Sequence, residues 1–150
     1  MTHRRAPGPY LEHRTRLRVR FQDVDAIQVV WHGHYVGWFE AGREGLGEAY
    51  GLGYRELIAA GLLAPVVQLS CDYLQSARYG DEVVIVTRLH ASPRATVELS
   101  YEVRREADDA LLARGRTVQA FTDPQGNLLL NQPDLLRRFW EQWGDQVREG

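Results

Sequence analysis

The sequence predicts an α+β domain in which one long helix packs on one antiparallel sheet. Three observations predict it. Residues 14–22 alternate polar and apolar side chains. Residues 35–50 carry apolar side chains at spacings of three and four. Between 65 and 122, four further stretches alternate like strands and are joined by short connections. Period 2 marks half-buried strands and period 3.6 an amphipathic helix. A helix with one apolar face must bury it against another layer. The 150 residues suit a single domain that buries its own core.

Each element has its own signature. Residues 1–13, with Pro7, Gly8 and Pro9, read as a flexible N-terminal arm ahead of a domain spanning 14–150. In the first strand Thr15, Leu17, Val19 and Phe21 share one side, and Arg14, Arg16, Arg18, Arg20 and Gln22 the other. The helix places Tyr35, Trp38, Phe39, Gly42, Leu46, Ala49 and Tyr50 on one face, with Gly51 as its stop. Interior glycines such as Gly37, Gly45 and Gly47 each cost roughly 0.8–1 kcal/mol against Ala, which predicts close approach to a sheet. Residues 54–61 suggest one or two helical turns ending at Gly61. Strands follow at about 65–75, 82–91, 95–105 and 110–122, with Gly115 expected as a bulge. Their short connections predict a meander. A last helix is expected at about 134–148, its apolar face formed by Leu135, Leu136, Phe139, Trp140, Trp143 and Val147, with Asp134 as its N-cap. The sheet's outer face would need cover, so a second copy of the chain is expected.

Composition removes several function classes. Hydrophobic residues make up 44% and charged residues 25%, which excludes bulk disorder. The net charge of −2 gives no basic field for nucleic acid. No apolar run is long enough for a membrane span, and Met1–Pro9 lacks the apolar stretch of a secretory signal. One cysteine, Cys71, allows neither an internal disulfide nor a multi-cysteine metal site, and it reads as a small buried hydrophobe. A cytoplasmic location is expected. All 18 basic residues are Arg, so lysine Schiff-base chemistry is excluded. Phosphate-loop, dinucleotide-binding and nucleophile-elbow motifs are missing. His32 and His34 are two apart, wrong for a shared helix face, and no zinc site is expected.

The segment Asp23–Tyr35 can carry chemistry. Two carboxylates, Asp23 and Asp25, leave the first strand together; an apolar stretch with Trp31 follows, and a helix begins near Gly33. The first turn of a helix presents unpaired N–H groups with partial positive charge. At His32, Gly33 or His34 such groups can hold a developing oxyanion. A facing carboxylate can attack a carbonyl or activate a water. On residue types alone, the competing reading is that Asp25 caps a turn and the histidines cap the helix.

These residues resemble a known family. Val19–Asp25, Val29–His32, Tyr35 and Trp38–Arg43 form a pattern of D-x-D, apolar stretch, aromatic, His, Tyr and aromatic-Glu-x-x-Arg. Gly51–Leu57, Pro65-Val-Val, Asp72-Tyr-Leu and Ala77–Asp81 extend it. The pattern is similar to that of the 4-hydroxybenzoyl-CoA thioesterase-like acyl-CoA thioesterases, over residues 14–122. The resemblance implies a hot-dog fold, a long central helix wrapped by an antiparallel sheet. It implies a homodimer or homotetramer with sites at subunit interfaces, and hydrolysis of an acyl-CoA to acid and free CoA without metal or other cofactor. It makes Asp25 the catalytic nucleophile or base and the His32 amide, with Gly33 beside it, the oxyanion donor. Trp31 and Tyr35 would line the acyl pocket. His34 is added as a pocket residue, although the family pattern does not fix it. Glu40 and Arg43 read as a structural ion pair. Arg78, Arg88 and Arg94, near strand ends, are candidates for the CoA phosphates. One departure stands out: the family carries one or two glycines after the catalytic Asp, where this chain has Ile27 and Gln28. A non-catalytic acyl-CoA binder, or a dehydratase or hydratase of acyl thioesters, is the alternative.

Overall fold

The computed structural model describes residues 8–149. Strand β1 (Tyr10–Arg18) leads through a short 3-10 turn at Phe21–Asp23 into helix α1 (His32–Tyr50). A short helix α2 (Tyr54–Ala59) follows, then β2 (Val66–Tyr73), β3 (Glu82–His90), β4 (Thr96–Arg105), β5 (Leu111–Ala120) and helix α3 (Asp134–Trp143). All strand pairs are antiparallel, in the order β1-β3-β4-β5-β2. The long helix on an antiparallel sheet is therefore present as expected. No helix among the described residues is long and apolar enough to cross a membrane.

The core lies between α1 and the inner sheet face. Phe39 stacks on Tyr101 with ring centroids 4.5 Å apart. Val83, Ile85, Leu89, Leu99 and Val103 are fully buried around them. Glycines let the helix sit this close. A Cβ on Gly42 would lie 2.3 Å from the Thr87 hydroxyl, and one on Gly45 2.7 Å from that of Thr15. Gly51 ends α1 in the left-handed region, at φ +75°.

Several expectations need correction. The strand starts at Tyr10, so residues 10–13 are not arm: Leu11 is buried, and Tyr10 bridges to Arg148. Residues 1–7 lie outside the described residues. Phe21 leaves the apolar side of the strand, because the chain turns after Arg18, and rests exposed with its ring edge-to-face on Tyr79. Ala49 is exposed. Only β3, β4 and β5 form a meander; β2 crosses to the far edge and pairs with β5. Register runs unbroken through Gly115, which makes room for a ring instead of a bulge: an added Cβ would lie 2.4 Å from Phe39. The final helix stops at Trp143, followed by a 3-10 turn at Gly144–Gln146. Pro133 is its N-cap residue, and Asp134 pairs with Arg137 inside the first turn.

The outer sheet face also differs from expectation. It carries an ion-pair lattice: Glu12 contacts Arg14, Arg88 and Arg148; Glu102 contacts Arg88 and Arg104; Glu98 contacts Arg116. Such a face is polar and internally paired, so it does not by itself demand an apolar cover. An uncovered apolar surface lies at the β2 edge, where Val66, Val67, Leu69, Tyr73 and Leu74 are all exposed.

Candidate active site

The two aspartates of D-x-D part company. Asp23 is 2% exposed. Its carboxylate accepts the Arg20 backbone N–H at 2.8 Å and pairs with the Arg20 guanidinium at 3.5 Å. It closes the turn after β1. The backbone then makes a small hairpin, with Val24 bridged to Val30. At its tip the Gln28 N–H donates to the Asp25 carbonyl at 2.9 Å, and Asp25 Oδ1 accepts the Ile27 N–H at 3.0 Å. Asp25 itself is half-buried. So Asp25 does cap a turn, and that turn is the loop that presents it.

The departure from the family glycines acquires a meaning here. Gln28 has φ +64°, a left-handed conformation that suits glycine. The chain keeps the glycine-favouring turn and fills it with a strained side chain.

The start of α1 is fixed from three sides. The Trp31 N–H donates to the Asp23 carbonyl at 3.0 Å, and the Val30 N–H to the Ala77 carbonyl at 2.9 Å. The Tyr35 hydroxyl, buried under the helix, accepts the Ala77 N–H at 2.9 Å. The Tyr73 hydroxyl donates to the His32 carbonyl at 2.8 Å. Although the ring is half exposed, local desolvation of the hydroxyl and the neighbouring Cys71 push Tyr73 up to about 12, so it keeps that proton. Burial likewise raises Tyr35. These contacts decide which amides remain. The His34 N–H is occupied by the Trp31 carbonyl at 3.0 Å. No side chain caps the helix. The His32 and Gly33 amides are the first-turn donors left over, as helix geometry requires.

Trp31 covers this turn. Its six-membered ring lies so close to Gly33 that an added Cβ would sit 2.2 Å from it, so only glycine fits under the ring. Trp31, 47% exposed, also contacts the His32 and His34 rings at centroid distances of 5.0 and 5.4 Å. Trp31, His32, Gly33, His34 and Tyr35 therefore gather at one end of α1, and the hairpin that carries Asp25 leads directly into it.

The phosphate candidates divide. Arg78 lies at the same end of the sheet, in a turn whose Gly80 donates to the Val19 carbonyl. Arg88 is on the outer face, held by Glu12 and Glu102 and stacked 4.9 Å from the Tyr10 ring centroid. Arg94 lies in the turn beyond the other end of β3, a strand of nine residues spanning roughly 26 Å. Within one chain, Arg88 and Arg94 do not join the cluster. Glu40 and Arg43 form the expected ion pair. Burial raises the Cys71 thiol, which suits a packed side chain rather than a nucleophile. Sequence reasoning missed Tyr73: its alternation gave only a strand face, and nothing local points to a partner 41 residues away.

Comparison with known proteins follows the same lines. The sequence pattern of the Thioesterase-like superfamily matches residues 19–139. The Bacillus subtilis protein named "Putative acyl-CoA thioesterase YneP" is 32% identical over 71 residues, 47% of this chain and 51% of that one. The chain thus matches about half the length of this relative. A structure of the hypothetical protein TT1821 from Thermus thermophilus superposes with a TM-score of 0.74 at 33% identity, covering 86% of this chain and 97% of that one. DHNA-CoA thioesterase from Staphylococcus aureus superposes with a TM-score of 0.75 at 24% identity, over 89% and 87% of the two chains, a likeness of fold.

Proposed function

Because the chain belongs to the Thioesterase-like superfamily and has its hot-dog architecture, we propose that it is a cytoplasmic hydrolase that cleaves an acyl-CoA thioester to a carboxylic acid and free CoA. The observation that carries this reading is the uncapped first turn of α1, left with two amide donors beside a loop that displays Asp25. Asp25 acts as nucleophile or general base. As nucleophile, a carboxylate oxygen bonds to the thioester carbon, the C–S bond breaks, and water cleaves the resulting anhydride. As base, it takes a proton from the water that attacks the carbonyl carbon; the C–S bond then breaks and the departing CoA thiolate takes up that proton. In both routes the carbonyl oxygen gains charge in the transition state, where the His32 and Gly33 amides stabilise it. Trp31 and His34 flank the reacting end; Tyr35, expected as a pocket residue, is instead buried beneath it in the core. Arg78 is the phosphate contact in one chain; Arg88 and Arg94 have no such support.

The working unit in this reading is a homodimer or homotetramer. Support comes from the β2 edge: unpaired backbone and exposed Val67, Leu69 and Tyr73 form a surface that a second β2 strand can extend.

Thiol release measured across acetyl-, benzoyl-, branched and dodecanoyl-CoA tests the activity. The proposal expects turnover with at least one of them. Saturable binding of acyl-CoA without thiol release would make the chain a binder and end the hydrolase reading.

A further inference from the structure

Tyr73, the last residue of β2, reaches across to α1, where its hydroxyl donates to the His32 carbonyl at 2.8 Å. Its aim is fixed by what surrounds it. The Tyr73 backbone is registered opposite Ala113 of β5, and the next N–H, of Leu74, donates to the Leu112 carbonyl at 2.8 Å. The Tyr73 ring meets the buried Tyr35 ring edge to face at a centroid distance of 5.2 Å, and the His32 ring at 6.4 Å.

The His32 carbonyl and the Gly33 N–H are the two ends of one planar peptide unit. A carbonyl oxygen has two lone pairs. Helix geometry directs the Val36 N–H to this oxygen, and the Tyr73 hydroxyl is a second donor on it. Each donor draws electron density out of the peptide and makes its N–H a stronger donor in turn. The Gly33 N–H is one of the two that the first turn of α1 leaves over, because the His34 N–H is held by the Trp31 carbonyl and no side chain caps the helix.

Resting on the thioesterase reading, we infer that Tyr73 is a positioning residue for the oxyanion: through the His32–Gly33 peptide it fixes the direction of the Gly33 N–H and strengthens it as a donor. The transition state gains more than the ground state, since charge on the substrate oxygen grows there. One hydrogen bond strengthens the next by about 10–30%, and one oxyanion donor contributes roughly a hundred- to a thousandfold in kcat. The share of the hydroxyl is then about two- to eightfold. A hydroxyl that only pinned β2 to α1 would act on stability and be indifferent to its own acidity.

Tyr73→Phe should lower kcat for the best acyl-CoA substrate by about two- to eightfold and leave KM within about twofold of wild type. Replacing Tyr73 with fluorinated tyrosines of graded acidity keeps the ring and its place. While the phenol stays protonated, kcat should rise with each step in acidity. Wild-type Tyr73, at about 12, keeps its proton near neutral pH. The most acidic analogue should lose it as pH rises, which adds a falling limb to the kcat profile that wild type lacks. The Gly33 amide supplies a readout without catalysis. In NMR spectra of the intact protein its proton should move upfield in Tyr73→Phe and downfield with each fluorinated step. A Gly33 resonance that Tyr73→Phe leaves in place, or a kcat indifferent to phenol acidity, overturns the inference and leaves Tyr73 a structural pin. If wild type releases no thiol from any acyl-CoA, the thioesterase reading falls. Gly33 shifts ordered by acidity then still uphold the coupling through the peptide, and shifts without that order overturn it.

Discussion

Arg20–Asp23 and Asp25–Gln28 are adjacent four-residue turns, each closed by an i+3 N–H to i carbonyl bond of 2.9 Å, and they use their aspartates in opposite ways. In the first, the acid is the last residue. It folds back under the chain, takes the Arg20 N–H and disappears from solvent. In the second, the acid is the first residue. It needs only Ile27 to hold it and stays half-buried beside the helix start. Position within the turn, not residue type, separates the buried structural acid from the acid that we propose carries the chemistry. The comparison can be broken by substitution.

The largest effect is expected from Asp25→Ala. Losing a positioned acid–base or nucleophilic group should lower kcat by about a hundredfold or more. Stability should fall by no more than about 1 kcal/mol, the loss of one turn hydrogen bond. Steady-state thiol release and thermal melting check both halves. Asp23→Ala should do the reverse. It strands the Arg20 N–H and should cost about 2 kcal/mol, or a melting temperature lower by about 4–8 °C for a chain of this size. An unchanged melting curve would show that the first turn needs no carboxylate.

Tyr35→Phe comes next. It removes the acceptor of the buried Ala77 N–H and should cost about 1–2 kcal/mol in chemical denaturation. Since Ala77 also holds Val30, faster hydrogen exchange at the Val30 amide should accompany it. The smallest effect is expected from Gln28→Gly. Relief of the left-handed strain, partly offset by backbone entropy, should stabilise the chain by about 0.5 kcal/mol. A loss of stability there would mean that the Gln28 side chain contributes more than its backbone costs.

Much of this was legible in the sequence. Alternation along β3 and β4 and the spacing of Tyr35, Trp38, Phe39 and Leu46 located those elements and their buried faces, because burial on one side imposes its period directly. The resemblance singled out Asp25 and the start of α1. Pairing order was not legible: nothing in the alternation of β2 says that it skips β3 to join β5. The ion-pair lattice of the outer face was not legible: an arginine stripe reads as a solvated strand face, and Glu12 meets Arg88 only in the sheet. Phe21 was misplaced because a period cannot announce where a strand turns away. The role of Gln28 needed a backbone angle, and the contact of Tyr73 with His32 needed the fold itself.

Asp25→Asn tests the central claim most directly, because the amide oxygen can still accept the Ile27 N–H while the charge is gone. Its kcat for the best acyl-CoA substrate should drop by about a hundredfold or more, with a melting temperature equal to that of wild type. Turnover at the wild-type rate, or a loss of activity matched by a loss of folded protein, would contradict the assignment of the chemistry to this carboxylate.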